Sequence, residues 1–151
     1  MPAYLPIFLD VSQKRVLLVG GGNVAQSKLE TLIQFTRNIL VVAPEINSGI
    51  QSLPGVTCMK QRYSKGVLNG VGVVYACTQD SAVNQQIQKD ARKAGVLVNV
   101  VDNPLLSDFI SPAVYKAGNM TVAVSSGGTN LKQTIAWRDR IHDFFENGNG
   151  L

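Results

Sequence analysis

The chain has 151 residues, of which 45% are hydrophobic and 16% are charged, and its formal net charge is +4 at pH 7. This length fits about one domain, the aliphatic content excludes disorder, and two cysteines with one histidine favour neither a disulfide framework nor a zinc site. Because no basic run leads into an apolar stretch at the start and no apolar segment approaches the roughly 20 residues that span a bilayer, we expect a cytoplasmic protein.

Short apolar runs alternate with segments of helical spacing. The predicted strands are Arg15–Val19, Ile39–Ala43, Val56–Gln61, Val71–Ala76 and Leu97–Val101. The helices predicted between them are Val24–Phe35 and Ser81–Ala94. Strands that alternate with helices predict an α/β fold, a Rossmann-type doubly wound parallel sheet with right-handed crossovers.

The pattern changes after the Asp102-Asn103-Pro104 sequence. Phe109–Tyr115 and Met120–Ser125 are predicted as the two strands of a hairpin, and Asn130–Glu146 as a helix. A hairpin and one helix are too small to bury their own apolar faces, so we expect them to dock on a second subunit. The sequence therefore predicts a Rossmann domain over 1–107, a dimerisation region over 108–151, and a homodimer.

A glycine-rich turn, Gly20-Gly21-Gly22-Asn23-Val24-Ala25, joins the first predicted strand to the first predicted helix. Gly20 permits a tight turn, Gly22 lets the backbone approach a pyrophosphate, and Ala25 keeps the helix close to the strand. The free amides and the positive end of that helix then face the phosphates. Because a strand precedes the motif and a helix follows it, we favour a NAD site over a purely structural turn, with cofactor contacts from Gly20, Gly21, Gly22, Asn23 and Val24.

The tip of the second predicted strand carries no carboxylate for the ribose hydroxyls of NAD. Its sequence is Ala43-Pro44, and Glu45 follows. Glu45 or backbone groups of this segment would therefore bind the ribose, and the lack of an adjacent arginine favours NAD over NADP modestly. The alternative for Glu45 is a solvated loop acid.

Several motifs stand in order along nearly the whole chain. They are Leu5-Pro6-Ile7-Phe8, Val19 to Ala25 with Lys28, Ala76 to Asp80 with Asn84, Asn99 to Pro104, Phe109 to Ala113, and Val122 to Thr129. On these motifs the chain resembles the precorrin-2 dehydrogenase and sirohydrochlorin ferrochelatase family, the dehydrogenase part of siroheme synthase. The resemblance implies NAD-dependent oxidation of precorrin-2 to sirohydrochlorin in siroheme biosynthesis, insertion of ferrous iron in some members, and a homodimer.

The resemblance also implies a catalytic residue. Asp102 matches the functional aspartate of the family, where the fifth predicted strand ends. A carboxylate there could accept the proton released in dehydrogenation or orient the macrocycle. The alternative is that Asp102 only shapes the Asp-Asn-Pro turn.

Further roles follow from the same resemblance. The residues that border the tetrapyrrole cleft in the family are Ser125, Ser126, Gly127 and Gly128. Ser126 matches a serine that is phosphorylated in some members, and a helix-capping role is its alternative. Thr78 resembles a position on the cofactor side, and Asp80 is expected to cap the helix that follows it.

The sequence departs from the family in two places. Family members usually continue with a further helical segment, whereas this sequence stops at Leu151, which weakens the expectation of iron chelation more than that of dehydrogenation. Asn130-Leu131 also stands where Ser-Pro is common. A regulatory NAD-binding module without chemistry is the main alternative, and metal chelation without NAD chemistry is opposed by the intact turn from Gly20 to Ala25.

The basic residues are scattered along the sequence, and no nucleic-acid-binding motif accompanies them. We therefore expect no nucleic-acid partner and no membrane partner. A surface with net positive charge suits a polyanionic small molecule, which the carboxylate-rich precorrin-2 would be.

Overall fold

A computed structural model describes residues 2–101 and 103–148. Within this part, the chain forms two compact units, Pro6–Phe109 and residues 2–5 with 110–148. The strands of the first unit are β1 (Arg15–Val19), β2 (Ile39–Ala43), β3 (Val56–Lys60), β4 (Val71–Ala76) and β5 (Leu97–Val100). Its helices are α1 (Asn23–Leu32), α2 (Ser48–Gln51) and α3 (Ser81–Lys93), and short 3₁₀ turns lie at Lys65–Leu68 and Pro104–Leu106.

All neighbouring strands of this unit are parallel, in the order β3-β2-β1-β4-β5. The doubly wound sheet predicted from the sequence is therefore confirmed. Three strands have the predicted bounds, while β3 and β5 each end one residue earlier.

Helix α1 ends at Leu32, so the prediction that it extends to Phe35 is wrong. The amides of Gln34 and Phe35 donate to the carbonyls three residues before them, at 3.2 and 3.0 Å. The last turn is thus tightened into 3₁₀-type bonds, and it keeps the helical spacing of apolar residues without remaining an α-helix.

The sheet is buried on both faces. Leu17 lies in the cluster that α3 completes through Ile87, and Leu18 lies in the cluster that α1 completes through Leu29. Ala25 is fully buried in the second cluster, which bears out the expectation that it holds α1 close to the sheet. Each fully buried leucine contributes on the order of 1.5–3 kcal/mol to stability.

The outer edge of β5 is covered by the chain itself. The Ser107 hydroxyl accepts the N–H of Val100 at 2.8 Å, and the Asp108 carboxylate accepts the N–H of Val98 at 3.0 Å. The Asp108 amide returns a hydrogen bond to the carbonyl of Val98 at 2.8 Å, and its carboxylate pairs with Arg92 at 3.1 Å. An edge that is satisfied in this way offers few backbone groups to another strand.

The second unit is an antiparallel hairpin and a helix. Its strands are β6 (Ala113–Ala117) and β7 (Met120–Val124), and its helix is α4 (Leu131–Glu146). Gly118 takes the positive φ of 57° that the tight turn requires. The structure therefore confirms that this region forms a hairpin followed by a helix.

The predicted start of the first hairpin strand is wrong, because β6 begins at Ala113. Phe109 instead belongs to the first unit, where its ring packs edge-on against Tyr75 with centroids 5.5 Å apart and its carbonyl accepts the side-chain amide of Asn99 at 2.9 Å. Pro112, just before β6, has no N–H to give to a ladder. An apolar run in the sequence does not show whether Phe109 belongs to a hairpin strand or packs in the first unit.

Helix α4 packs on the hairpin through Tyr115. The Tyr115 ring stacks with Phe145 at 6.3 Å, meets His142 edge-on at 5.2 Å, and its hydroxyl donates to Glu146 at 2.8 Å. His142 also lies 3.1 Å from Asp143 on an exposed surface. In the part of the chain that the structure describes, no helix has both the length and the apolar character needed to cross a membrane.

Candidate cofactor site

Gly20 forms the first turn of the site, at the carboxyl ends of β1 and β4. Its φ is +132°, and a Cβ atom there would lie 2.6 Å from the carbonyl oxygen of Cys77. Its N–H donates to the carbonyl of Val42 at 3.0 Å. Only glycine fits a position that combines this backbone conformation with such a close contact, so the role predicted for Gly20 in the tight turn is supported by its geometry.

Gly21 faces the loop that joins β2 to α2. A Cβ atom on Gly21 would overlap the carbonyl oxygen of Glu45 and would lie 2.8 Å from the Cα of Ile46. The carbonyl of Gly21 accepts the N–H of Asn47 at 2.9 Å. Gly21 is therefore a docking point for this loop, a role that the sequence motif does not reveal.

Gly22 is the N-cap of α1 and has an extended backbone. Nothing lies within 4 Å of the position that a Cβ would occupy, and no side chain caps the helix. The first turn contains no acidic residue, and the exposed Asn23 and Val24 begin the helix with amides that precede its internal hydrogen bonds. Open space in front of an uncapped helix end fits a pyrophosphate, which is the group predicted there.

The residues predicted beside the ribose lie where β2 ends. Ala43 is buried as the last residue of the strand, and Pro44 and Glu45 are exposed after it. Among the described residues, the Glu45 carboxylate has no hydrogen bond or ion pair. Its backbone is held against Gly21 while its side chain remains available to a ligand.

A buried amide shapes the turn after β4. The Asn84 side chain accepts the N–H of Thr78 at 3.2 Å and donates to the carbonyl of Thr78 at 3.0 Å. The Thr78 hydroxyl lies 2.7 Å from Asn84 Oδ1 and accepts the N–H of Asp80 at 3.2 Å. Thr78, predicted on the cofactor side, therefore uses its side chain within the turn.

Asp80 is the N-cap of α3, as predicted. Its carboxylate accepts the amides of Ala82 at 2.9 Å and Val83 at 3.3 Å. Asn84 is only 9% exposed although it is polar. Its position on the sheet-facing side of an amphipathic helix was the signal from which its role could have been found.

Asp102, the predicted catalytic residue, lies outside the described residues. On its amino-terminal side the N–H of Val101 donates to the carbonyl of Ala76 at 3.1 Å, and on its carboxyl-terminal side the N–H of Asn103 donates to the carbonyl of Val100 at 3.0 Å. The flanking backbone is thus anchored at the carboxyl ends of β4 and β5. This is the edge at which ligands of doubly wound sheets bind.

The predicted substrate segment, Ser125 to Gly128, lies in the second unit between β7 and α4. Gly127 and Gly128 both take positive φ, 67° and 81°. The Ser126 hydroxyl accepts the N–H of Asn130 at 2.8 Å and lies 3.0 Å from the hydroxyl of the buried Thr134. Ser126 therefore supports the start of the helix.

The N-cap of α4 itself is Asn130, whose side chain accepts the N–H of Gln133 at 3.0 Å. The Ser125 hydroxyl accepts the N–H of Gly127 at 3.0 Å, so it stabilises the glycine turn. The two hydroxyls thus order the segment, and the Asn130 side chain caps the helix. In the described part of the chain, no group of three or more His, Cys, Asp or Glu side chains is arranged to hold a metal ion.

Comparisons with known proteins agree with this architecture. A family model described as putative NAD(P)-binding matches residues 7–113. The chain is 41% identical over 129 residues to the siroheme synthase of Nitrosomonas eutropha, an alignment that covers 83% of this chain and 27% of that protein. It is 37% identical over 150 residues to the siroheme synthase of Azotobacter vinelandii, covering 97% of this chain and 32% of that protein. The chain therefore spans less than two thirds of the length of these relatives.

The solved structure of SirC, a precorrin-2 dehydrogenase, has the same fold. Its TM-score with this chain is 0.80 and its sequence identity is 24%, over 91% of this chain and 69% of that chain. The α/β fold with a small hairpin and a following helix is thus shared with a solved protein.

Proposed function

We propose, since this chain belongs to the putative NAD(P)-binding family, that it oxidises precorrin-2 to sirohydrochlorin with NAD as the hydride acceptor. The family supports a nicotinamide dinucleotide as the cofactor, and the siroheme synthase relatives support the tetrapyrrole substrate. The observation that carries the proposal is the open space beside Gly22 in front of the uncapped helix α1.

The pyrophosphate would bind at this turn. Gly20 supplies the sharp bend, Gly22 leaves the approach free, and the amides of Asn23 and Val24 would donate to the phosphate oxygens. Because these amides are fixed by the helix, they need no rearrangement to meet the anion.

The adenosine ribose would lie at the end of β2. Ala43 and Pro44 would form the wall of this subsite. The carboxylate of Glu45 would accept hydrogen bonds from the ribose hydroxyls. Backbone groups of Thr78, held by Asn84, would contact the cofactor from the end of β4. These contacts favour NAD, because a 2′-phosphate would meet the negative charge of Glu45.

A bound NAD would supply the hydride acceptor for the oxidation of precorrin-2, and the same oxidation releases a proton. We assign Asp102 as the residue that accepts this proton or orients the macrocycle. Its sequence neighbours are anchored at the carboxyl ends of β4 and β5, the edge where the cofactor would bind.

The substrate would contact the segment formed by Ser125, Ser126, Gly127 and Gly128. The N–H of Gly127 already donates to the Ser125 hydroxyl, so the N–H of Gly128 would be the backbone donor to a carboxylate group of the substrate. The net charge of +4 adds a general attraction for the polyanionic macrocycle. Phosphorylation of Ser126 would add negative charge and repel this substrate.

We assign the hairpin and helix α4, which lie within the predicted region 108–151, as a dimerisation region, whereas Asp108 and Phe109 belong to the first unit. Helix α4 exposes large apolar side chains, among them Leu131, Trp137 and Phe144, with Trp137 58% exposed. Burial of such side chains on a second copy would remove apolar surface from water. Cys58 forms no disulfide, which supports a reducing compartment such as the cytoplasm.

The cofactor assignment is tested by the Gly22→Asp variant. An aspartate there would fill the open space with bulk and negative charge, so we expect it to abolish both NAD binding and NAD-dependent oxidation of precorrin-2. Circular dichroism checks that the variant is folded. Wild-type affinity for NAD in a folded Gly22→Asp protein would contradict the proposed pyrophosphate site.

A further inference from the structure

We infer that Gly21 is a specificity-determining residue, because it docks the loop that carries Glu45 onto the glycine turn and thereby sets the selectivity for NAD over NADP. This inference rests on the proposed function, since it needs a dinucleotide to bind at the turn. It assigns to the middle glycine a role other than contact with the pyrophosphate.

The contact between Gly21 and Glu45 is steric. Gly21 does not have a positive φ, so its backbone conformation does not by itself demand glycine. A Cβ on Gly21 would instead overlap the carbonyl oxygen of Glu45 and press on the Cα of Ile46. Any larger residue must push the loop away from the glycine turn.

Two hydrogen bonds hold the loop in this place. The N–H of Asn47 donates to the carbonyl of Gly21 at 2.9 Å, and the side-chain amide of Gln51 donates to the carbonyl of Ile46 at 2.6 Å. Asn47 also caps α2 by accepting the N–H of Ile50, which is fully buried. The loop is thus tied to the turn on one side and to the core on the other.

This arrangement replaces the carboxylate that is missing from the tip of β2. The strand ends in Ala43-Pro44, so the nearest acid is Glu45 in the docked loop. Its carboxylate can accept two ribose hydroxyls, but it repels a 2′-phosphate anion at the same position. The repulsion acts at full strength only while the loop is held beside the pyrophosphate turn, because the energy of a charge pair falls with distance.

Gly22 provides the matched comparison. A Cβ on Gly22 enters open space where the pyrophosphate common to NAD and NADP would lie. Substitution of Gly22 should therefore lower the affinities for NAD and NADP by the same factor, whereas substitution of Gly21 should change the ratio of the two affinities. The roles of the two adjacent glycines can therefore be distinguished by how their substitution affects the binding of NAD and NADP.

The test is isothermal titration of the purified chain with NAD and with NADP, for wild type, Gly21→Ala and Gly22→Ala. We expect wild type to bind NAD more tightly, Gly21→Ala to reduce the NAD/NADP affinity ratio by about tenfold, equivalent to about 1.4 kcal/mol, and Gly22→Ala to leave the ratio unchanged while both affinities fall.

A second pair of variants keeps the test decisive if Gly21→Ala does not fold. Gln51→Leu removes the bond to Ile46, and we expect it to reduce the ratio as well. Gln34→Leu removes a bond of the same kind, from a side-chain amide to the carbonyl of Glu30 at 3.2 Å, and should leave the ratio unchanged.

The outcomes separate the two claims. If wild type binds NAD and NADP equally, or if the folded Gly21→Ala and Gln51→Leu proteins both keep the wild-type ratio, the selectivity role is overturned while the cofactor site stands. If wild type binds neither dinucleotide, the proposed function and this inference fail together.

Discussion

The side chain of Asn84 makes both backbone hydrogen bonds of Thr78, accepting its N–H at 3.2 Å and donating to its carbonyl at 3.0 Å. A residue of helix α3 thereby fixes the conformation of the turn after β4. This turn adjoins the glycine-rich turn, because Cys77 contacts Gly20. A substitution of Asn84 should therefore change the affinity for the cofactor.

Replacement of Asn84 by alanine should lower both stability and NAD affinity. The backbone groups of Thr78 would lose their partners, which costs on the order of 1–3 kcal/mol when the groups are not rehydrated. Urea unfolding measures the free energy and titration measures the affinity. Gln85→Ala, at an exposed position of the same helix, is the control and should change the unfolding free energy by less than about 0.5 kcal/mol. Equal stability of the two variants would refute this role of Asn84.

Asp108→Ala should destabilise the first unit by more than Arg92→Gln does. Both variants lose the ion pair at 3.1 Å, whose exposed position limits it to about 1 kcal/mol or less. Only Asp108→Ala also leaves the N–H of Val98 without its acceptor at the edge of β5. Chemical denaturation of the two variants gives the comparison, and an equal loss in both would mean that the edge hydrogen bond contributes nothing.

The stability of the protein should fall above about pH 10, partly through Tyr63. Burial, followed by the hydrogen bond to Asp90 at 3.0 Å, raises the pKa of Tyr63 above its ordinary value of 10.0. Because the folded-state pKa is raised, the contribution is fully present below the unfolded pKa and is lost as pH rises from there toward the folded pKa. Tyr63→Phe should show a shallower decline in unfolding experiments between pH 9 and 11, and identical pH profiles would exclude Tyr63 as a contributor.

Asp102→Ala should lower kcat for precorrin-2 oxidation by about 10²–10⁴-fold, the usual contribution of a general base, with little change in NAD affinity. Asp102→Asn distinguishes proton transfer from turn formation, because asparagine keeps the turn-forming geometry but not the charge. Comparable loss in both variants would support proton transfer or charge-dependent orientation. Full activity of the Asp102→Asn variant would mean that Asp102 only shapes the turn and takes no part in the reaction.

The sequence was sufficient to predict the central sheet. Strands such as Ile39–Ala43 and Val71–Ala76 are buried on both faces, so their apolar runs are continuous and bounded by residues that end them. Helix α2 was missed because four residues give no measurable helical period. The first hairpin strand was placed too early, because Phe109 is apolar for its contact with Tyr75 rather than for membership of β6.

Only part of the site could be predicted in the same way. The glycine spacing identified Gly20 and Gly22, since their roles depend on local backbone geometry. Gly21 contacts Glu45, which lies 24 positions later in the sequence, and neither residue type indicates that the two are in contact. Similarly, the hold of Asn84 on Thr78 appears only when the turn and the helix are placed together.

The most direct test of the account is anaerobic incubation of the purified chain with precorrin-2 and NAD, with sirohydrochlorin and NADH followed by their absorbance. The proposed dehydrogenase should form the two products in a one-to-one ratio and should form neither when NAD is omitted. Tight NAD binding with no sirohydrochlorin would contradict the account and would favour a module that binds the dinucleotide without chemistry.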